Sequence, residues 1–163
     1  MMSSQACDGN TECMCTNAKK AIESAKVANA SKLPFILYAY MTLMDQCNEN
    51  VKEEDVISEF NKFKSTLSDD REDITILGQA SSAIGEWYLN NNKFPQALAH
   101  LRESQRISEK LKLFDGTYTR TNEQLSVIHT NIGNFKESEK YVIKSLALAH
   151  KQKDTLLMGS SYI

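Results

Sequence analysis

The sequence repeats one pattern at an interval of 41 residues, and this period restricts the chain to architectures built from similar stacked units. Residues 80–105 align with residues 121–146 without a gap, and the alignment matches Phe94 with Phe135. One interval earlier the apolar pattern is weaker, and Glu53 stands where the other two copies have phenylalanine. The period therefore predicts three copies, of which the first is degenerate.

Each copy is typical of two helices joined by a short turn. In the middle copy, apolar residues recur at helical spacing over residues 77–88. Residues 90–92 are three asparagines, which favour turns and tolerate left-handed backbone. Pro95 then suits the first turn of a second helix, because the N–H that proline lacks would have no partner there. Asp115 and Gly116 end that helix, so one copy predicts one helix hairpin.

The middle copy also carries a recognisable motif. A small residue precedes an aromatic residue, and after the turn come a second aromatic residue, an alanine and a leucine; the positions are Ile84, Gly85, Tyr88, Phe94, Ala97 and Leu101. This order resembles the tetratricopeptide repeat (TPR) family. The family's usual period is about 34 residues, so the chain is similar to the extended variant found in bacterial regulators and sensor proteins. The resemblance implies an all-α fold of about seven helices, arranged as a right-handed superhelical stack of antiparallel hairpins, an α-solenoid.

The period also predicts how the chain is organised. We expect a flexible, cysteine-containing leader over residues 1–12 and a single TPR-like domain over residues 13–163. A partial repeat is expected at each end, as a helix over residues 15–30 and the start of another over residues 154–163. Because the sequence stops inside a repeat, we expect it to be a piece of a larger protein. The predicted repeats span residues 33–72, 73–113 and 114–154.

The sequence offers little that points to catalysis, nucleic acid or a membrane. A net charge of −2 gives no basic face for phosphates, and no apolar run reaches the roughly 18 residues of a membrane helix. Residues 69–73 are acidic, but they fit a solvated loop before a helix better than a catalytic or metal site. His100, His129 and His150 fall on different predicted helices, and His129 is expected to be a packing residue. We therefore expect no enzyme activity, no cofactor and no bound metal.

The resemblance implies instead a surface for a protein or peptide. In TPR-like stacks the first helix of each hairpin lines the concave side, where an extended peptide can lie. Acidic residues outnumber the single arginine here, which favours a neutral or basic partner. Asn90 and Asn131 occupy the same repeat position and are candidates to clamp a peptide backbone, although they could equally end their helices. The implied positions are Tyr38, Met41, Asp45, Asn48, Glu49, Gln79, Ser82, Glu86, Leu89, Asn90, Arg120, Glu123, Val127, Thr130 and Asn131.

The four cysteines leave the cellular compartment open. The helix that follows the leader is expected to pack beside the helix that carries Cys47, so a disulfide from Cys47 to Cys7, Cys13 or Cys15 is one interpretation. It would place the chain in an oxidising, extracytoplasmic compartment such as the periplasm. The other interpretation is that the cysteines are unpaired thiols in a cytoplasmic protein. Structural zinc is disfavoured, because the C-x-C spacing is tighter than usual for that metal.

The function expected from these features is the sensory or regulatory part of a larger signalling protein, acting by protein binding. Two alternatives stay open. The chain could be a scaffold that self-associates through its truncated last helix, or an adaptor built from another helical repeat of about 40 residues, such as HEAT.

Overall fold

Seven α-helices and no strand make up the regular structure of the described residues, which confirms the predicted all-α fold class. The computed structural model describes residues 10–25, 33–47 and 52–152. The helices are α1 (Thr11–Ala25), α2 (Leu33–Gln46), α3 (Glu53–Thr66), α4 (Arg71–Asn90), α5 (Phe94–Leu111), α6 (Gly116–Asn131) and α7 (Phe135–Gln152).

The chain divides into two compact units, Met1–Ser68 and Asp69–Ile163. The sequence predicted one repeat domain over residues 13–163, and it gave no signal for a division at this point. Unit 1 contains α1, α2 and α3, and unit 2 contains α4 to α7. The predicted partial helix over residues 154–163 lies outside the described residues.

In unit 1, helix α2 lies between α1 and α3. Leu37, Ala39, Met41 and Leu43 are all buried, although they do not share one helical face. A helix that is apolar on several sides is stable only when it is covered on several sides, and α1 and α3 supply that cover. In the contact with α1, Ala18 packs with Ala39 and Leu43.

Helix α1 begins at Thr11, four residues before the predicted start. The side chain of Asn10 accepts a hydrogen bond from the Cys13 N–H at 3.1 Å, and its carbonyl accepts from the Met14 N–H at 3.0 Å. Asparagine is among the preferred residues before a helix because its side chain satisfies an otherwise unpaired N–H. Thr11 and Glu12 therefore belong to the helix and not to the leader.

In unit 2, α4 and α5 form a hairpin whose helices approach closely at Gly85. A β-carbon at Gly85 would lie 2.6 Å from Cγ of Leu101, so only glycine fits. Ala97, on the same side of α5, is fully buried. The turn is closed by Asn92, with φ of 57°, and by the Lys93 N–H donating to the Tyr88 carbonyl at 2.9 Å. Pro95 lies at the start of α5, as predicted.

Helices α6 and α7 form a second hairpin with the same construction. Its turn has Gly133 at φ 75°, and the Asn134 N–H donates to the His129 carbonyl at 2.7 Å. Where the first hairpin has Gly85 and Ala97, this one has Ser126 and Ser138, whose hydroxyls lie 2.8 Å apart. A hydrogen bond thus replaces a close apolar contact at the equivalent position.

Candidate protein-interaction surface

Helices α4 and α6, the first helices of the two hairpins, contact each other within unit 2. The Ser82 and Thr121 hydroxyls lie 3.1 Å apart in this contact. Nearer the solvent, the Arg120 guanidinium forms an ion pair with the Glu86 carboxylate across the same two helices. We call the exposed and half-buried side chains around this contact the α4–α6 face; they are Gln79, Glu86, Asn90, Arg120, Glu123, Val127 and Asn131.

Side chains that cap the helices fix where α4 and α6 begin. Asp70 accepts a hydrogen bond from the Asp73 N–H at 2.9 Å. Asp115 does the same for α6 through the Tyr118 N–H at 3.1 Å. The acidic segment was predicted to be a loop before a helix, but only residues 69 and 70 precede α4, and residues 71–73 form its first turn. The prediction that Asp115 and Gly116 end α5 is wrong, because α5 already ends at Leu111 and Gly116 is the first residue of α6. Each cap satisfies an N–H that has no partner inside the helix. The two starts set the register of the α4–α6 face.

Beneath this face, the two hairpins meet through polar side chains. The Thr121 hydroxyl also lies 3.5 Å from that of Ser104, and the Gln105 amide donates to the Asn122 side chain at 2.8 Å. Ser104, Thr121 and Asn122 are completely buried. Buried polar groups are costly unless paired, so these pairs favour one relative position of the hairpins over shifted ones.

A carboxylate also joins three helices of unit 2. Glu109 of α5 accepts from the Tyr118 hydroxyl of α6 at 3.1 Å and from the Lys144 ammonium of α7 at 3.0 Å. Burial, together with the charge of Glu109, raises the pKa of Tyr118 above its ordinary value. Burial alone would lower the pKa of Lys144, but its hydrogen bond to Glu109 leaves that pKa raised.

The two asparagines at the shared repeat position are the last residues of their helices. Asn90 ends α4, Asn131 ends α6, and both side chains are exposed. The amide that closes the end of α4 belongs to the next residue: Asn91 donates to the Trp87 carbonyl at 2.9 Å. Asn90 and Asn131 thus point amides into solvent at equivalent ends of the α4–α6 face.

Two residues that were predicted to lie on the partner-binding surface are buried, so the prediction is wrong for both. Met41 is only 4% exposed, because α2 is covered on more than one side. Ser82 is 6% exposed, because α6 packs over it. Tyr38 of α2 is 43% exposed. Asp45 lies in the last turn of α2, and Asn48 and Glu49 lie outside the described residues.

The remaining predicted positions belong to unit 2. Gln79 is exposed, Leu89 is half-buried, and the Thr130 hydroxyl lies 2.8 Å from that of Ser138. Glu123 is half-buried and accepts from the Ser145 hydroxyl at 3.4 Å. Val127 is 48% exposed. The structure therefore groups the candidate residues of α4 and α6 and leaves those of α2 in unit 1.

Among the three cysteines that could reach Cys47, Cys15 is the partner in the structure. The disulfide joins the first turns of α1 to the residue after α2, across a sequence separation of 32. Cys15 and Cys47 both pack against the Ala18, Ala39 and Leu43 cluster. Cys13 is also disulfide-bonded, so none of the cysteines in the described part of the chain is a free thiol.

Each hairpin of unit 2 contains a stacked pair of one histidine and one tyrosine. In the sequence the only sign of it is that His129 stands where the middle copy has Tyr88. His129 stacks on Tyr141 with ring centroids 5.5 Å apart, and the first hairpin has Tyr88 on His100 at 5.6 Å. The two pairs are 41 residues apart with the residue types exchanged. Comparing pairs of positions, instead of single positions, across the repeat would have found this contact.

The described residues contain no group of three or more His, Cys, Asp or Glu side chains placed to hold a metal ion. None of the described helices combines the length and the apolar character needed to cross a membrane. The chain matches no protein-family model, no curated protein and no solved structure in the comparisons.

Proposed function

We propose that the chain is a non-catalytic, TPR-like α-solenoid module that binds a protein or peptide on the α4–α6 face. The observation that carries the proposal is the equivalence of the two hairpins of unit 2. Their turns, their close contacts and their stacked aromatic pairs all recur 41 residues apart. Helix α6 also contacts both α4 and α5, which is how a stack of hairpins would continue.

The exposed chemistry of the face suits an extended peptide. Amides at Asn90 and Asn131 offer both donors and acceptors to a peptide backbone. Val127, one turn before Asn131 on α6, is 48% exposed and offers an apolar contact. Arg120 forms an ion pair with Glu86, and the residues of the face carry two carboxylates and one guanidinium. A neutral or basic peptide fits this balance better than an acidic one.

Helices α2 and α3 occupy the first predicted repeat. In this reading the module serves as the sensory or regulatory part of a larger signalling protein. The Cys15–Cys47 disulfide supports an oxidising, extracytoplasmic compartment over the cytoplasm.

A peptide-display selection on the full chain, followed by calorimetry with the enriched synthetic peptide, tests the proposal. Asn90→Ala and Asn131→Ala should each raise the Kd by about fivefold or more, as expected when a hydrogen-bonding group loses its partner. Because both side chains are exposed, neither change should shift the thermal midpoint.

The matched control is Lys136→Ala, an exposed change on α7. Peptides that bind all the variants equally, or a folded chain that enriches no peptide, would contradict the proposal.

Exposed apolar residues at the tip of the second hairpin favour self-association as a second candidate. Ile132 is 50% exposed and Phe135 is 68% exposed. Sedimentation velocity over a range of concentrations tests this, and Phe135→Glu should remove any dimer. A monomer at every concentration would eliminate the candidate.

A further inference from the structure

The imidazole of His129 is enclosed within the α6–α7 hairpin. The residue is 4% exposed, and neither ring nitrogen has a hydrogen-bond partner among the described residues. One face of the ring stacks on Tyr141, with an angle of 19° between the planes. The His129 carbonyl accepts the Asn134 N–H that closes the turn, so the residue also anchors the hairpin's geometry.

The charges that act on this ring do not favour a second proton. Arg102 from α5 repels an imidazolium, and Glu137 from α7 attracts it. The Glu137 carboxylate, however, also forms an ion pair with Lys140 at 2.7 Å. Burial, and then Arg102, lower the pKa of His129 below its ordinary value, and Glu137 offsets only part of that effect.

We propose that His129 makes the α6–α7 hairpin acid-sensitive, so that the hairpin loosens when the ring takes up a proton from solvent. The protonated ring has two N–H donors and a positive charge, and neither nitrogen has a hydrogen-bond acceptor among the described residues. Opening the hairpin gives the imidazolium its hydration. The proposal concerns the stability of the hairpin and holds whatever the α4–α6 face binds.

The direction of the pH effect follows from proton linkage. In the unfolded chain the imidazole titrates near its ordinary value of 6.5, and in the folded hairpin it titrates lower. Above pH 6.5 both states are neutral at this position, and the stabilising contribution is complete. As the pH falls from about 6.5 toward the folded pKa, the unfolded state binds more protons and the contribution is lost. The unfolding equilibrium constant then rises by up to about tenfold for each pH unit.

The sequence supplies a reporter and a matched control. Trp87 is the single tryptophan, and it lies in α4 of unit 2. Urea unfolding of the full chain, followed by Trp87 fluorescence at pH 7.5 and pH 5.5, measures the effect for wild type, His129→Phe and His150→Gln. His150 is exposed on α7, so removing it controls for the loss of a histidine elsewhere on the same helix pair.

Between pH 7.5 and pH 5.5 the unfolding equilibrium constant should rise in wild type and in His150→Gln. This rise should be up to about tenfold larger than the change in His129→Phe. An equal loss in all three proteins would overturn the proposal. NMR titration of the His129 ring in the wild-type chain gives a second test that needs no variant. A ring that remains neutral below pH 6.5 supports the proposal, and a midpoint at or above 6.5 overturns it.

Discussion

The ring of His129 stacks on the ring of Tyr141, and the pair Tyr88 and His100 repeats this contact one interval earlier with the residue types exchanged. The interplanar angles are 19° and 22°. An exchange of this kind keeps the contact while both positions change. The two hairpins therefore share the stacked histidine–tyrosine contact, although neither position keeps its residue type.

A double-mutant cycle should detect this pairing in the second hairpin. Tyr141→Ala alone is expected to lower the free energy of unfolding by about 3 kcal/mol, because a buried ring is removed. The cycle with His129→Ala should give a coupling free energy of about 0.5–1.5 kcal/mol, as for other aromatic pairs. Urea unfolding at pH 7.5 measures both values. A coupling near zero would mean that the rings are neighbours without a specific interaction.

Glycine substitutions should rank according to the space at each position. At Gly85 a β-carbon would lie 2.6 Å from Cγ of Leu101 and 3.1 Å from its backbone nitrogen. Gly85→Ala is expected to lower the free energy of unfolding by about 1–3 kcal/mol, and Gly85→Leu by more. At Gly78 the nearest atom is Cγ2 of Ile107 at 2.9 Å, so the overlap is smaller and Gly78→Ala should lower the free energy of unfolding by less.

Gly116→Ala is the matched control for this series. Nothing lies within 4 Å of its β-carbon position, and the residue is the first of α6. The change should leave stability unchanged or raise it by up to about 1 kcal/mol, because alanine restricts the unfolded chain. Urea midpoints of the four variants test the order. Equal effects at Gly85 and Gly116 would contradict the close approach of α4 and α5.

Disulfide loss should destabilise unit 1 and spare unit 2. All four cysteines precede residue 48, and Trp87 reports on unit 2. Removing a cross-link over 32 residues costs about 3–4 kcal/mol by the chain-entropy estimate. For Cys15→Ser combined with Cys47→Ser, helices α1 and α2 should exchange their amide hydrogens faster.

The Trp87 unfolding transition of that variant is the internal control, and it should remain at the wild-type position. Peptide mapping of the unreduced wild-type chain should recover Cys15 linked to Cys47. Equal exchange in the wild type and the double variant, or a Cys47 linked elsewhere, would contradict the assignment.

The sequence by itself determined the all-α class and the positions of the turns, because these depend on residues close together in the chain. Helical spacing of apolar residues, three successive asparagines and Pro95 act locally, so their effect can be read without knowing the neighbours. The caps formed by Asp70 and Asp115 were not predicted. The close approach at Gly85 also followed from the motif, since only a small residue allows it.

Only the tertiary structure decided which side chains are covered. Met41 and Ser82 lie at positions that a repeat pattern leaves open, but burial depends on the helix that packs over them. The choice of Cys15 over Cys13 as the partner of Cys47 depends on which side of α1 faces α2. It could not be predicted, because α1 begins four residues earlier than expected and both cysteines lie within it. The stacking of His129 on Tyr141 joins two helices, and no local preference encodes the distance between them. Contacts of this kind arise from packing, where each side chain's surroundings are set by residues far away in sequence.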